Sequence, residues 1–169
     1  MHAEPKLEQR DEQHYVAIPV TVSMDSIGAT LPPLVGEVFG WLAQKGVAPA
    51  GPPFFKYAVI DMKKGMEMEV GIPVATPQKG DGRVKAGAFP AGRYATVVHV
   101  GPYERIIDTT ADLLEWADKK GITWRSRETE KGDAWDARTE FYLSDPQKET
   151  DPAKWRTELA FLSADGREV

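Results

Sequence analysis

At 169 residues the chain is long enough for one well-buried core and short for two independent domains. Hydrophobic residues at 41% and charged residues at 28% describe an ordinary globular composition, and no apolar run approaches the ~18 residues a membrane-crossing helix needs. The absence of cysteine excludes disulfides, thiolate zinc sites and a cysteine nucleophile, and a net charge of −5 weighs against nucleic acid as the main partner.

Residues 1–20 open with charged and polar side chains, not with a basic stretch followed by an apolar one, so no secretory signal is expected and the compartment is read as cytoplasmic. The densest basic pairs, Lys63-Lys64 and Lys119-Lys120, are short and have acids nearby. His2, His14 and His99 lack metal-ligand spacing, and no Gly-rich phosphate loop, HExxH or GxSxG string occurs. The expectation is therefore no metal, no cofactor, no nucleic acid and no membrane, in a monomer or homodimer.

Taken in order, residues 15–22 form a β-branched extended run, with Pro19 marking an edge or bulge position. Leu34, Val35, Val38 and Leu42 then share one helical face, with Pro32 and Pro33 in its first turn and Lys45-Gly46 as its stop. Two strands follow, at residues 55–61 and 66–72, before a Gly-rich join from Gly80 to Gly87. The pattern then recurs. Residues 94–100 read as a strand, Ile106, Ile107, Leu113, Leu114 and Ala117 as a helical face, and residues 139–145 and 156–162 as two further strands. Trp41-Leu-Ala-Gln-Lys-Gly46 and Trp116-Ala-Asp-Lys-Lys-Gly121 match at an offset of 75, which places both tryptophans at equivalent core positions.

The predicted fold is α+β: a tandem βαββ repeat with pseudo-twofold symmetry and antiparallel sheets. The helices lie on one face and the ligand cleft on the other. Residues 1–14 are an N-terminal extension, 15–162 the domain (repeats 15–75 and 90–162) and 163–169 a C-terminal tail.

Specific strings carry a family resemblance. Gly51-Pro-Pro-Phe54 with Tyr57, then Asp61 and Glu69-Val-Gly-Ile-Pro-Val74, are similar to the first half of the GyrI-like small-molecule-binding family. Phe89-Pro-Ala-Gly-Arg-Tyr-Ala95, His99-Val-Gly-Pro-Tyr103, Glu140-Phe-Tyr-Leu-Ser-Asp-Pro146 and Trp155-Arg-Thr-Glu-Leu159 follow its second half in order and spacing. The resemblance implies a cleft for lipophilic, often cationic compounds, with the family's acidic residue at the cleft base falling on Glu140. It also implies a range of roles: effector-binding domains of multidrug-responsive activators, gyrase-inhibitory proteins, and stand-alone proteins, some of which hydrolyse cyclopropane-containing toxins. Nothing before Tyr15 reads as a helix-turn-helix, so the expectation is a stand-alone protein.

Alternation along a strand puts Glu140 and Tyr142 on one face and Phe141 and Leu143 on the other. If Phe141 and Leu143 pack on the helices, Glu140 and Tyr142 face the groove, where a carboxylate among aromatic rings attracts an organic cation. Tyr57, Tyr103, Trp135, Tyr142 and Trp155 are the candidate walls. Lys56 is read as the first-repeat counterpart of Glu140, which it would neutralise if both faced the groove. His99 reads as a strand-end residue before the Gly101-Pro102 turn, and Glu67, Glu69 and Glu158 as solvated or paired with nearby Lys and Arg.

The first reading is a binding protein without chemistry of its own. A hydrolase is the alternative, with Glu140 as general base and Tyr103 stabilising the leaving group. An acidic protein-binding inhibitor module is the third.

Overall fold

The computed structural model describes residues 2–61, 63 and 65–164. Its elements are β1 (Lys6–Arg10), β2 (Gln13–Val22), α1 (Ile27–Lys45), β3 (Phe54–Asp61), β4 (Gly65–Pro73), β5 (Lys85–Phe89), β6 (Gly92–Val100), α2 (Ile106–Lys119), β7 (Ser126–Thr129), β8 (Gly132–Trp135), β9 (Arg138–Tyr142) and β10 (Arg156–Leu162). All six expected strands are present. With four more they form one sheet of spatial order β1-β6-β10-β9-β3-β4-β2-β5, with β7 and β8 attached beside β3, and every pairing is antiparallel.

That order is a palindrome about the β9–β3 seam. On one side β9, β10 and β6 follow each other outward; on the other, β3, β4 and β2 do the same. The outermost strands are exchanged. β1 leads the first repeat yet pairs with β6 of the second, Lys6 opposite Thr96, while β5 leads the second and pairs with β2 of the first, Lys85 opposite Ala17. Each repeat is therefore built on ββαββ, its leading strand covering the other's open edge, and the second carries the extra β7–β8 pair between α2 and β9. Beyond Ala17, β5 no longer pairs with β2, and Pro19, which has no N–H to give, lies in that uncovered stretch.

The helices repeat residue for residue. Leu31, Leu34, Val38 and Leu42 are the buried positions of α1, and Ile106, Thr109, Leu113 and Ala117, each 75 further on, are those of α2. Both helices end at a glycine in the left-handed region, Gly46 at φ 68° and Gly121 at φ 72°. α1 begins earlier than its sequence suggests, at Ile27, so Pro32 and Pro33 lie inside it. Each lacks the N–H that would bond back to Gly28 and Ala29, a gap that a buried apolar face outweighs. Trp41 and Trp116 hold equivalent, half-buried places, each against its own helix's core.

Both helices pack on one face of the sheet, α1 on Val16, Ile18, Met68 and Val70, and α2 on Ala95, Val97, Leu159 and Phe161. On the other face Tyr15, Phe54, Phe89, Tyr94 and Leu162 form a separate core. Phe89 of edge strand β5 comes within 5.4 Å of Phe141 of central strand β9, ring centre to ring centre, so the sheet curls around this second core into a half-barrel. One part of the expectation is corrected by this packing. Phe141 lies inside the curl and not under a helix, so the cleft opens between the two helices, on their own face of the sheet.

Gly71 on β4 shows how tightly the curl is packed: a Cβ there would lie 2.7 Å from the Phe54 ring and 2.4 Å from the Val16 carbonyl oxygen. Gly71→Ala is expected to lower stability by about 1–3 kcal/mol through overpacking, read as a lower urea midpoint at unchanged slope. An unshifted midpoint contradicts the packing described.

Candidate functional site

Strands β3 and β9 form the floor of the cleft. Their register sets Phe55 opposite Glu140, and alternation places Arg138, Glu140 and Tyr142 of β9 on the helix-bearing face with Phe55 and Tyr57 of β3. Pro32, Val35 and Phe39 of α1 make one wall; Ile106, Ile107 and Thr110 of α2 make the other. The cleft has a volume of about 1070 Å³, room for a polycyclic organic molecule. Phe39 and Ile107 remain 42% and 66% exposed at its edge, where the exposed Glu104, Asp145 and Gln147 also line it.

At the base of this space lies the carboxylate of Glu140, a residue only 8% exposed. The Tyr142 hydroxyl donates to its Oε1 at 2.6 Å and the Tyr57 hydroxyl to its Oε2 at 3.1 Å. These phenols are equivalents in the duplication. Phe55 pairs with Val70 as Glu140 pairs with Leu159, and Tyr57 pairs with Met68 as Tyr142 pairs with Thr157. One acid, standing where the first repeat has Phe55, is thus clamped by a tyrosine from each half.

Burial raises the carboxyl's pKa above the ordinary glutamate range, and outweighs the two phenol bonds and the Arg138 charge, which act the other way. The phenols are pushed well up, first by burial and then by the adjacent acid, so they stay protonated as donors. Among the described residues no cation lies within ion-pair distance of Glu140.

Arg138 stands two residues before Glu140 on the same face. Its guanidinium carbon lies 4.7 Å from the Trp135 ring centre, 4.8 Å from Phe161 and 5.8 Å from Tyr57. Burial lowers its pKa, and its Nε is enclosed without a hydrogen-bond partner.

Of the residues singled out in the sequence, Glu140, Tyr57, Tyr103 and Tyr142 meet in the cleft. Trp135 and Trp155 stand behind it. Trp135 holds Arg138, while Trp155 stacks on Tyr103 at 4.6 Å and 26° and donates its indole N–H to the Glu149 carbonyl. Tyr103 meets Tyr142 edge to face at 5.5 Å and is raised in pKa by burial. Lys56 does not neutralise Glu140. It lies on the opposite face, its ammonium 3.2 Å from Glu69 and 3.3 Å from the Tyr15 hydroxyl, because Phe55 is the true counterpart of Glu140 and the sequence alignment was one residue out. His99 is buried, bonded to Thr109 and the Pro102 carbonyl, and ties β6 to the start of α2. Arg138 and the helix walls were missed, although the alternation that exposes Glu140 also exposes Arg138.

No curated protein matches the chain. Among solved structures, the EcmrR C-terminal domain superposes with a TM-score of 0.74 at 22% identity, covering 95% of this chain and 96% of that one. The longer EcmrR chain in a DNA complex gives 0.73 at 22% identity and 95% coverage, but this chain spans only 57% of its length. SAV2435 bound to tetraphenylphosphonium gives 0.58 at 10% identity, covering 95% and 94%. A hydrolase from Listeria innocua gives 0.59 at 17% identity, covering 95% and 92%. Likeness at these identities shows a shared fold. The GyrI-like small molecule binding domain matches residues 3–162, nearly the whole length, and the chain belongs to that family.

Proposed function

We propose that the cleft binds lipophilic organic compounds, cations among them, and that Glu140 recognises the positive charge. The observation that carries this reading is a buried carboxylate held by two phenols, with no cation of the described residues paired to it, at the base of an apolar space between two helices. A charge so placed has lost most of its hydration, and a lipophilic cation restores an opposite charge without bringing much water. The rings of Phe55, Tyr103 and Tyr142 near the floor add cation–π attraction. The fold relative SAV2435, solved with tetraphenylphosphonium, supports the same ligand class.

Hydrolysis of a strained electrophile is the second reading, favoured by the raised proton affinity of Glu140. Glu140 would take a proton from the attacking water. The phenols bonded to it are Tyr57 and Tyr142, so the role given to Tyr103 in the sequence passes to them. Product release from a cyclopropane electrophile by the wild type, and none by Glu140→Gln, would establish turnover.

For binding, Glu140→Gln keeps the volume and removes the charge. It is expected to weaken a cationic dye about 10- to 100-fold and leave a neutral dye of equal size nearly unchanged, followed by quenching of tryptophan fluorescence. Equal loss for both dyes would make Glu140 a packing residue only.

The pH dependence has a definite sign. The cation needs the ionised acid, so its affinity falls as pH drops through the raised pKa of Glu140, starting above the ordinary glutamate range. Stability moves the other way. A carboxyl whose folded pKa is raised contributes stability below its unfolded pKa and loses it as pH rises through the folded one. Glu140→Gln is therefore expected to melt higher than wild type at neutral pH, with the gap closing in acid. A gap that is constant with pH would show that Glu140 does not titrate abnormally.

A further inference from the structure

Arg138 has no role in the reading above, and its surroundings are unusual for an arginine. The guanidinium carries five N–H donors. Trp135, Phe161 and Tyr57 surround it with ring faces, which attract its charge but accept no N–H bond in the plane of the fork. Among the described residues it makes no ion pair, and its Nε is buried without an acceptor. It nonetheless lines the cleft.

Glu140 lies two residues along on the same strand face, and the two feel each other's charge, as Arg138 also feels that of Asp133; Asp136, equally near in sequence, pairs with Arg125 and Arg127 instead. Arg138 and Glu140 do not pair. Both carboxylate oxygens accept from phenols, and Tyr57 stands between: its hydroxyl bonds Glu140 and its ring lies beside Arg138. The floor therefore offers one negative and one positive group on a single strand face, held apart by the width of a phenol.

We propose that the cleft floor is a two-charge site, distinct from the exposed Glu104 and Asp145 of the lining, whose preferred ligand is a zwitterion, a flat lipophilic cation that also bears a carboxylate or similar planar anion. This rests on the cation reading and adds to it. A simple cation satisfies Glu140 but faces Arg138 as a like charge. A simple anion meets the reverse conflict. A molecule carrying both charges satisfies both, and a planar carboxylate matches the guanidinium fork in a bidentate bond. The rings on Trp135 and Phe161 hold the fork in place, so little side-chain freedom is lost on binding.

The test uses rhodamine B, a zwitterion at pH 8, and its ethyl ester, a cation of nearly the same shape. Both are titrated into the full chain by fluorescence anisotropy. The wild type is expected to bind the free acid at least about ten times more tightly than the ester. Arg138→Met should weaken the acid and tighten the ester, reversing the order, and Arg138→Lys should keep part of the preference. Equal affinities in the wild type, or an unchanged preference in Arg138→Met, overturn the proposal. Bleaching of the dye on binding, which would mean uptake of the neutral lactone, also overturns it. Circular dichroism checks each variant's fold; should Arg138→Met not fold, the wild-type comparison and Arg138→Lys still decide. The two readings fail separately. Ester binding that ignores Glu140→Gln removes the cation reading, whereas Glu140-dependent ester binding with no gain for the acid removes only the two-charge site.

Discussion

Antiparallel pairing of β3 with β9 joins the two repeats, and the content of the cleft floor follows from its register. Phe54 stands opposite Phe141 and Phe55 opposite Glu140. Because side chains alternate, a slip of one residue would send Glu140 into the aromatic curl and Phe141 under the helices. The curl prevents this. Phe54 is fully buried against Tyr15, Phe89 and Phe141, with ring centres 4.9 to 5.7 Å apart, and Gly71 leaves it no spare room. The core on one face thus fixes which residues reach the other.

Duplication explains the scaffold, and departures from it explain the chemistry. The helix cores, the glycine stops and the exchanged edge strands β1 and β5 have counterparts in both halves. The charges at the floor do not. Glu140 replaces Phe55, while the tyrosines that bond it are retained in both repeats. A symmetric pair of donors around an off-axis acid orients the carboxylate without an ion pair, and so leaves its charge available in the cleft.

Much of this was legible in the sequence, for reasons that also mark where legibility stopped. Strands β2, β3, β4, β6, β9 and β10 carry β-branched or alternating runs, and both helices carry apolar faces at helical spacing. The fold class follows from these, the repeat from the Trp41 and Trp116 segments matched at an offset of 75, and the family resemblance from strings such as Gly51-Pro-Pro-Phe54 and His99-Val-Gly-Pro-Tyr103. β1 reads Lys-Leu-Glu-Gln-Arg and β5 reads Lys-Ala-Gly-Ala-Phe. Neither has a strand pattern, because an edge strand is held by backbone pairing to a neighbour distant in sequence. The face carrying the helices was also hidden. Alternation separates Phe141 from Tyr142, but with an aromatic on each face it cannot say which one a helix covers. The Lys56 error has a similar origin. Lys56-Tyr-Ala-Val-Ile-Asp61 matches Glu140-Phe-Tyr-Leu-Ser-Asp145 end to end, but a bulge between Tyr57 and Val59 shifts β3 by one residue within that string.

The site residues do not pay their way in stability. A buried acid with raised proton affinity and a guanidinium lacking an acceptor both oppose folding, and two apolar replacements would fill the same space without that cost. The three apolar cores carry the fold: one under each helix, and one inside the curl. The phenols on Glu140 and the rings beside Arg138 offset only part of this cost, and a ligand that brings opposite charges into the cleft offsets more of it. Binding energy is then largest for a ligand that supplies both. On the two-charge proposal such a site discriminates by charge arrangement more than by shape, because Glu140 and Arg138 are held at the floor while much of the wall, from Pro32 and Val35 to Ile106 and Ile107, is apolar surface.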